Sequence, residues 1–144
     1  MAGFIDTGLY YFSNRVPQPP QQLQTGCYGL SNAALDTAWP KVNKGKQYLR
    51  NLLQTPASQQ LSTTEIAKQL FSILADGEQA ADEILPATGI SLDWERRLSS
   101  VFIRGAEYRT RCSTVVLMDN NKSVHCWERS FDSSGDFSER YFTF

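Results

Sequence analysis

The chain is poor in the groups that do chemistry near neutral pH. It has one histidine, His125, and three cysteines, Cys27, Cys112 and Cys126. An odd cysteine count without Cys-x-x-Cys spacing argues against a disulfide framework and offers no zinc set. Buried, reduced thiols in a cytosolic-type compartment are the plainer reading. No run of Lys or Arg exceeds the doublet Arg96-Arg97, and the formal charge is -1 with pI near 5.8. The clustered cations that displace counterions from a nucleic acid or an anionic membrane are therefore missing. No apolar run exceeds a handful of residues, against roughly 20 needed to span a bilayer. The first six residues, Met-Ala-Gly-Phe-Ile-Asp, lack a basic n-region and a long apolar h-region, so no secretory signal is expected and a cytoplasmic location is. GxGxxG, P-loop, HExxH, EF-hand and GxSxG motifs are absent too.

What remains is ordinary globular material: 144 residues, 41% apolar and 20% charged, enough for one domain. The aromatic run 9–13 reads as a strand. The Pro- and Gln-rich stretch 16–24 reads as a surface loop, and residues 26–30 as a resumed extended run. Residues 36–40 (Asp-Thr-Ala-Trp-Pro) offer polar caps and an early proline, predicting a helix to about Gln54. A second helix is better signalled. Ser62 and Glu65 form a capping box, Ile66, Leu70, Phe71 and Leu74 make an apolar face, and Asp76-Gly77 supplies a stop. A loop over 78–90 leads to a short helix at 91–100 carrying Leu92, Trp94 and Leu98.

The end of the chain is β. Residues 113–118 are apolar on both faces, as expected of a strand between two layers. Turns at 119–122 and 132–136 separate it from strands over 123–131 and 137–144. The class is α+β with a C-terminal antiparallel meander.

Two constellations and one isolated residue carry candidate chemistry. In residues 28–32 (Tyr-Gly-Leu-Ser-Asn), Asn32 either donates to an oxyanion or closes an Asx turn. In residues 108–114 (Tyr-Arg-Thr-Arg-Cys-Ser-Thr), Arg111 either grips a carboxylate or phosphate with its fork or is a solvated strand-end cation. His125 lies mid-strand beside Trp127, where a structural role is expected. No serine, acid and histidine fall into triad order. No complete catalytic or metal site is legible.

The run YGLSNAALDTAWPKVNKGK (residues 28–46) resembles the signature of the NRDE family, also called the transport and Golgi organisation 2 family. LYYFSNR (9–15), LPATG (85–89), LSSVFI (98–103), YRTRCSTVVLMD (108–119) and WERSFD (127–132) resemble its further motifs in the right order. The resemblance covers nearly the whole chain, yet family members are roughly twice as long. The Asn-Arg-Asp-Glu motif that names the family is absent. So is the Met-Cys start that, in N-terminal-nucleophile hydrolases, leaves a catalytic cysteine; residue 2 is Ala2. Arg109 and Cys112 stand where the family usually has Gly and Ser.

The resemblance implies a single domain over residues 1–144 that is the carboxy-terminal portion of a longer one. It also implies an αββα sandwich of the N-terminal-nucleophile-hydrolase type, with Asn32 similar to an oxyanion-hole asparagine. A role in intracellular haem mobilisation, or in lipid and acyl-coenzyme A homeostasis and Golgi organisation, goes with it. Lys41, Lys44, Lys46 and Arg111 are cations that could meet propionates or phosphates. Haem would be cargo, since no cofactor site is present. The alternative is part of an amidohydrolase whose nucleophile lies in the missing half; as it stands the chain is not expected to be an enzyme. Sheet surface that the missing half would cover is expected to self-associate, since Val115, Leu117, Trp127 and Phe131 could not all be hidden by three helices on one side.

Overall fold

The computed structural model describes residues 2–5, 8–14 and 18–144, with backbone alone for 2–5 and 59. Met1 of the N-terminal run, and Val16 and Pro17 of the expected surface loop, lie outside the described residues. Three strands, β1 (Ala2–Ile5), β2 (Gly8–Tyr11) and β3 (Gln21–Leu23), form one antiparallel sheet in chain order. Helices α1 (Pro40–Gln54), α2 (Thr63–Leu74) and α3 (Leu92–Leu98) follow, with short 3₁₀ turns at Pro56–Gln60 and Asp82–Ile84. Strands β4 (Cys112–Met118), β5 (Val124–Phe131) and β6 (Phe137–Thr143) close the chain as an antiparallel meander. The architecture is α+β. Among the described residues no helix is long and apolar enough to cross a membrane.

The N-terminal third departs most from expectation. Residues 21–23, expected in a loop, pair with β2. Pro19 and Pro20 precede the pairing and leave its ladder intact, the tolerated place for proline beside a short edge strand. Residues 26–30, expected as a strand, form no ladder. The Gly29 amide instead donates to Asp36 Oδ1 at 2.8 Å, and the Asp36 amide returns a bond to Gly29 O at 2.7 Å. Asp36 adopts φ 56°, a left-handed conformation that aspartate tolerates. A closed loop therefore replaces the strand.

Helix α1 opens on Pro40 as expected, but its cap is Trp39, which makes no side-chain bond. Helix α2 has its complete capping box: the Glu65 amide donates to Ser62 Oγ at 3.3 Å and the Ser62 amide to Glu65 Oε2 at 2.8 Å. Such a cap contributes on the order of 1 kcal/mol. The buried stripe of α2 is Ala67 and Phe71, flanked by Leu70 and Leu74, so Ile66 sits at its margin. In α3 two of the three expected apolar residues are on the outside, Leu92 49% and Trp94 36% exposed, while Leu98 is half-buried. The buried residue is Glu95, whose Oε1 accepts from Thr88 N at 2.7 Å and Thr88 Oγ1 at 2.6 Å. A carboxylate placed to satisfy a loop leaves no trace in apolar periodicity.

The core is small. Ala67 and Phe71 of α2 meet Val115 of β4 and Trp127 of β5, with Leu70, Leu74 and Leu117 packed around them. The Arg129 guanidinium lies 3.9 Å from the Phe71 ring and 4.6 Å from that of Phe137, and bonds Glu139 at 2.7 Å. It thereby staples the helix to the sheet.

Among the described residues the meander is covered on one face, not two. The four residues not expected to be hidden together share the covered side, where Val115 and Trp127 are buried and Leu117 and Phe131 half-buried. Cross-strand partners share a face, so the register Val116↔Cys126 and Cys126↔Phe142 puts these residues together on the opposite side. There Val116 is 59%, Met118 57% and Phe142 46% exposed. The chain exposes 10217 Å² for its 16.2 kDa. A compact monomer of that mass exposes roughly 7,500 Å². The excess is surface that a closed domain of this size would bury.

Candidate functional site

The loop closed by Asp36 lies against α1. A β-carbon on Gly29 would fall 2.6 Å from Val42 Cγ1, so glycine is required for the loop to sit this close to the helix. Lys46 of α1 bonds Asp36 Oδ1 at 2.5 Å, completing the closure. That bond, with the Gly29 amide, holds the Asp36 carboxyl below the usual carboxylate range. A depressed acid stabilises the fold above its unfolded value, roughly 3.9, and its contribution is lost as pH falls through the folded value. Acidification below about pH 4 is thus expected to open this loop. Asp36→Asn should show the faster Gly29 amide exchange already at neutral pH, measured by NMR. Identical exchange in both proteins would dismiss the carboxylate as the latch.

Between this loop and the edge of β4 runs a cleft of about 530 Å³, bounded by Asn32, Lys41, Lys46, Leu74, Thr114 and Val116. A second hollow of about 260 Å³ opens between Trp39, Lys41, Glu95 and Tyr108, and Asn32 and Lys41 lie in the walls of both. Asn32 therefore lines both cavities. Arg111 does not. It is exposed at the residue before β4, its carbonyl accepting from Phe131 N at 2.9 Å, and it lines neither cavity. Its neighbour Arg109 has an enclosed Nε without an acceptor among the described residues.

The four expected cations separate cleanly by partner. Lys44 is held by Asp76 and Glu78 at 2.5 and 2.6 Å, and Lys46 by Asp36. Lys41 has no acid within reach among the described residues. Its Nζ donates to Leu98 O at 2.8 Å, at the end of α3, and lies 5.8 Å from the Trp39 ring. Burial alone pushes its pKa below the ordinary lysine value. Part of the structural reason is plain: Lys41 caps an orphan helix carbonyl and ties α1 to α3. Among the described residues Leu98 O is the acceptor for one of its three donors. Net charge and spacing could not single out Lys41, because its distinction is the absence of a neighbour.

His125 is remote from the cleft residues in role. Its ring stacks on Trp127 and Tyr141, with Nδ1 2.7 Å from the Tyr141 hydroxyl and Nε2 3.5 Å from Asp119 Oδ2. Neither cavity is lined by a cysteine or a histidine. Among the described residues no group of three or more His, Cys, Asp or Glu side chains is placed to hold a metal.

The transport and Golgi organisation 2 family matches residues 1–133, and the chain belongs to that family. It is 34% identical over 127 residues to the transport and Golgi organization protein 2 homolog of Bos taurus, covering 85% of this chain and 45% of that protein. The Mus musculus homolog is 34% identical over 123 residues, covering 83% and 44%, and the Homo sapiens homolog 32% over 125 residues, covering 85% and 45%. The chain thus spans a little under half the length of these relatives.

Proposed function

We propose that the chain is the carboxy-terminal portion of a longer transport and Golgi organisation 2 domain and serves as a non-catalytic, cytoplasmic ligand-binding element. Its service is to intracellular haem mobilisation, or to lipid and acyl-coenzyme A homeostasis and Golgi organisation. The observation that carries the reading is the wall shared by the two cavities. It offers an amide, Asn32, and an ammonium without an acid partner, Lys41, beside apolar side chains and with no cysteine or histidine. That is equipment for holding an anionic, largely apolar molecule, not for attacking one. An αββα sandwich for the longer domain is supported by the meander, which has a helix on one face and nothing among the described residues on the other.

A second reading rests on Asn32 alone. In the longer domain it donates to an oxyanion while a nucleophile from the missing portion attacks an amide or acyl bond. Haemin and palmitoyl-coenzyme A titrations, followed by the fluorescence of Trp39 in the smaller hollow, test the first reading; saturable quenching by one of them is expected. Amide and thioester substrates should show no turnover above background. Turnover abolished by Cys112→Ala or Cys126→Ala, with the fold intact, would defeat the non-catalytic reading.

A further inference from the structure

The ladder between β4 and β5 has a definite parity. Phe131 N donates to Arg111 O and Asp119 N to Ser123 O, in the same register that pairs Val115 with Trp127. In an antiparallel pair the hydrogen-bonded positions alternate, so the odd-numbered residues of β4 face β5. The N–H and C=O groups of Cys112, Thr114, Val116 and Met118 point the other way. β4 is the last strand on that side, and no backbone or side-chain group among the described residues bonds them.

This edge is unguarded. Edge strands are commonly blunted by charge, proline or a bulge. β6, at the opposite edge, carries Glu139 and Arg140. β4 reads Cys-Ser-Thr-Val-Val-Leu-Met, without a charge or a proline, and its pairing with β5 is continuous over seven residues. Residues 114–116 and residues 28–32 line the same 530 Å³ cleft, and the latter are pressed onto α1 through Gly29.

We propose that this cleft is a strand-addition slot, in which the open edge of β4 takes one extended polypeptide segment drawn from the part of the family's length outside this chain's match. The proposal rests on the reading of the chain as a portion of a longer domain, and it locates the join. Extended backbone is the chemistry an open ladder recognises, with main-chain bonds giving affinity. The excess exposure of roughly 2,700 Å² is ample against the roughly 800 Å² that each partner buries in a stable interface. The matched relatives carry more than half of their own length outside the match, which supplies such a segment. A segment in the slot would run past Asn32, so the slot would deliver the missing portion's side chains to the wall shared by both cavities.

Amide exchange on the full chain, read by NMR, gives the first arm. Amides of Cys112, Thr114, Val116 and Met118 should exchange quickly while those of Ser113, Val115 and Leu117 are protected. Protection of both sets in the free chain would overturn the slot. The second arm adds a polypeptide comprising the Bos taurus homolog's residues outside the matched stretch. A 1:1 complex with protection of the even-numbered amides is expected. Val116→Pro, whose lost N–H is not part of the β5 ladder, and Val116→Lys, which adds the missing guard, should each weaken the complex at least tenfold. Circular dichroism checks that the variants fold, and the lysine variant decides if the proline variant does not. Binding that ignores both variants defeats the slot but leaves the portion reading intact. No binding at all defeats both, and pairing of two copies through β4 names the wrong occupant.

Discussion

Truncating Phe71 to alanine is expected to remove about 3–5 kcal/mol of stability, the usual range for a buried phenylalanine. The ring is 3% exposed and makes three kinds of contact at once. It fills the centre of the α2–sheet cluster, it packs against Trp127 and Val115, and it lies under the Arg129 guanidinium. Few other buried apolar side chains share the burden: Val42, Ala67, Val115 and Trp127 complete the set among the described residues. Domains are stable by only about 5–15 kcal/mol, and one with a core this small belongs at the low end. The variant should therefore be largely unfolded at 25 °C, as urea melts followed by Trp127 emission would show. Phe137→Ala is the control. It removes a ring of the same size that also touches Arg129 but is 52% exposed. A loss under about 1 kcal/mol at Phe71 would mean that α2 is not what holds the sheet.

The second large effect concerns the bare face of the meander. Val116, Met118 and Phe142 form an apolar patch there, and Phe144 beyond it is 80% exposed. Patches of this kind seldom stay in water on a soluble monomer. The purified chain is expected to run above 16.2 kDa by light scattering at micromolar concentration, through face-to-face contact. Met118→Lys with Phe142→Lys should return most of it to monomer while leaving far-ultraviolet dichroism unchanged, since neither side chain supports the core. A monodisperse parent with a sharp cooperative melt would end the portion reading, because these residues would then close their own core.

Legibility in the sequence followed the range of the interactions. Helix α2 was readable because its cap, stripe and stop are all local and agree. The meander was readable from two turns: Asp132 Oδ1 accepts from the amides of Ser134, Gly135 and Asp136, and Lys122 takes φ 66° in the other. Residues 26–30 read as extended because their decisive bond, from the Gly29 amide to Asp36, spans seven positions and one partner is a side chain. Glu95 drew no notice because its partners belong to a separate loop. The double apolar pattern of β4 reads as a strand between two layers; among the described residues only one of its faces is covered. At the site, the family motif brought Asn32 to notice. Arg111, equally prominent in its motif, is left outside both cavities.

The two cysteines of the meander turn its topology into a chemical map. Cys112 and Cys126 both belong to the even-numbered face, the first exposed and the second half-buried, while the Cys27 thiol points to Lys46 O at 3.8 Å in the signature loop. An alkylating reagent therefore meets one thiol that reports on the loop and two that report on the sheet. Whatever comes to lie across the meander, be it a copy or a complementary strand layer, must slow the labelling of Cys112 and Cys126 together and leave Cys27 as its internal clock.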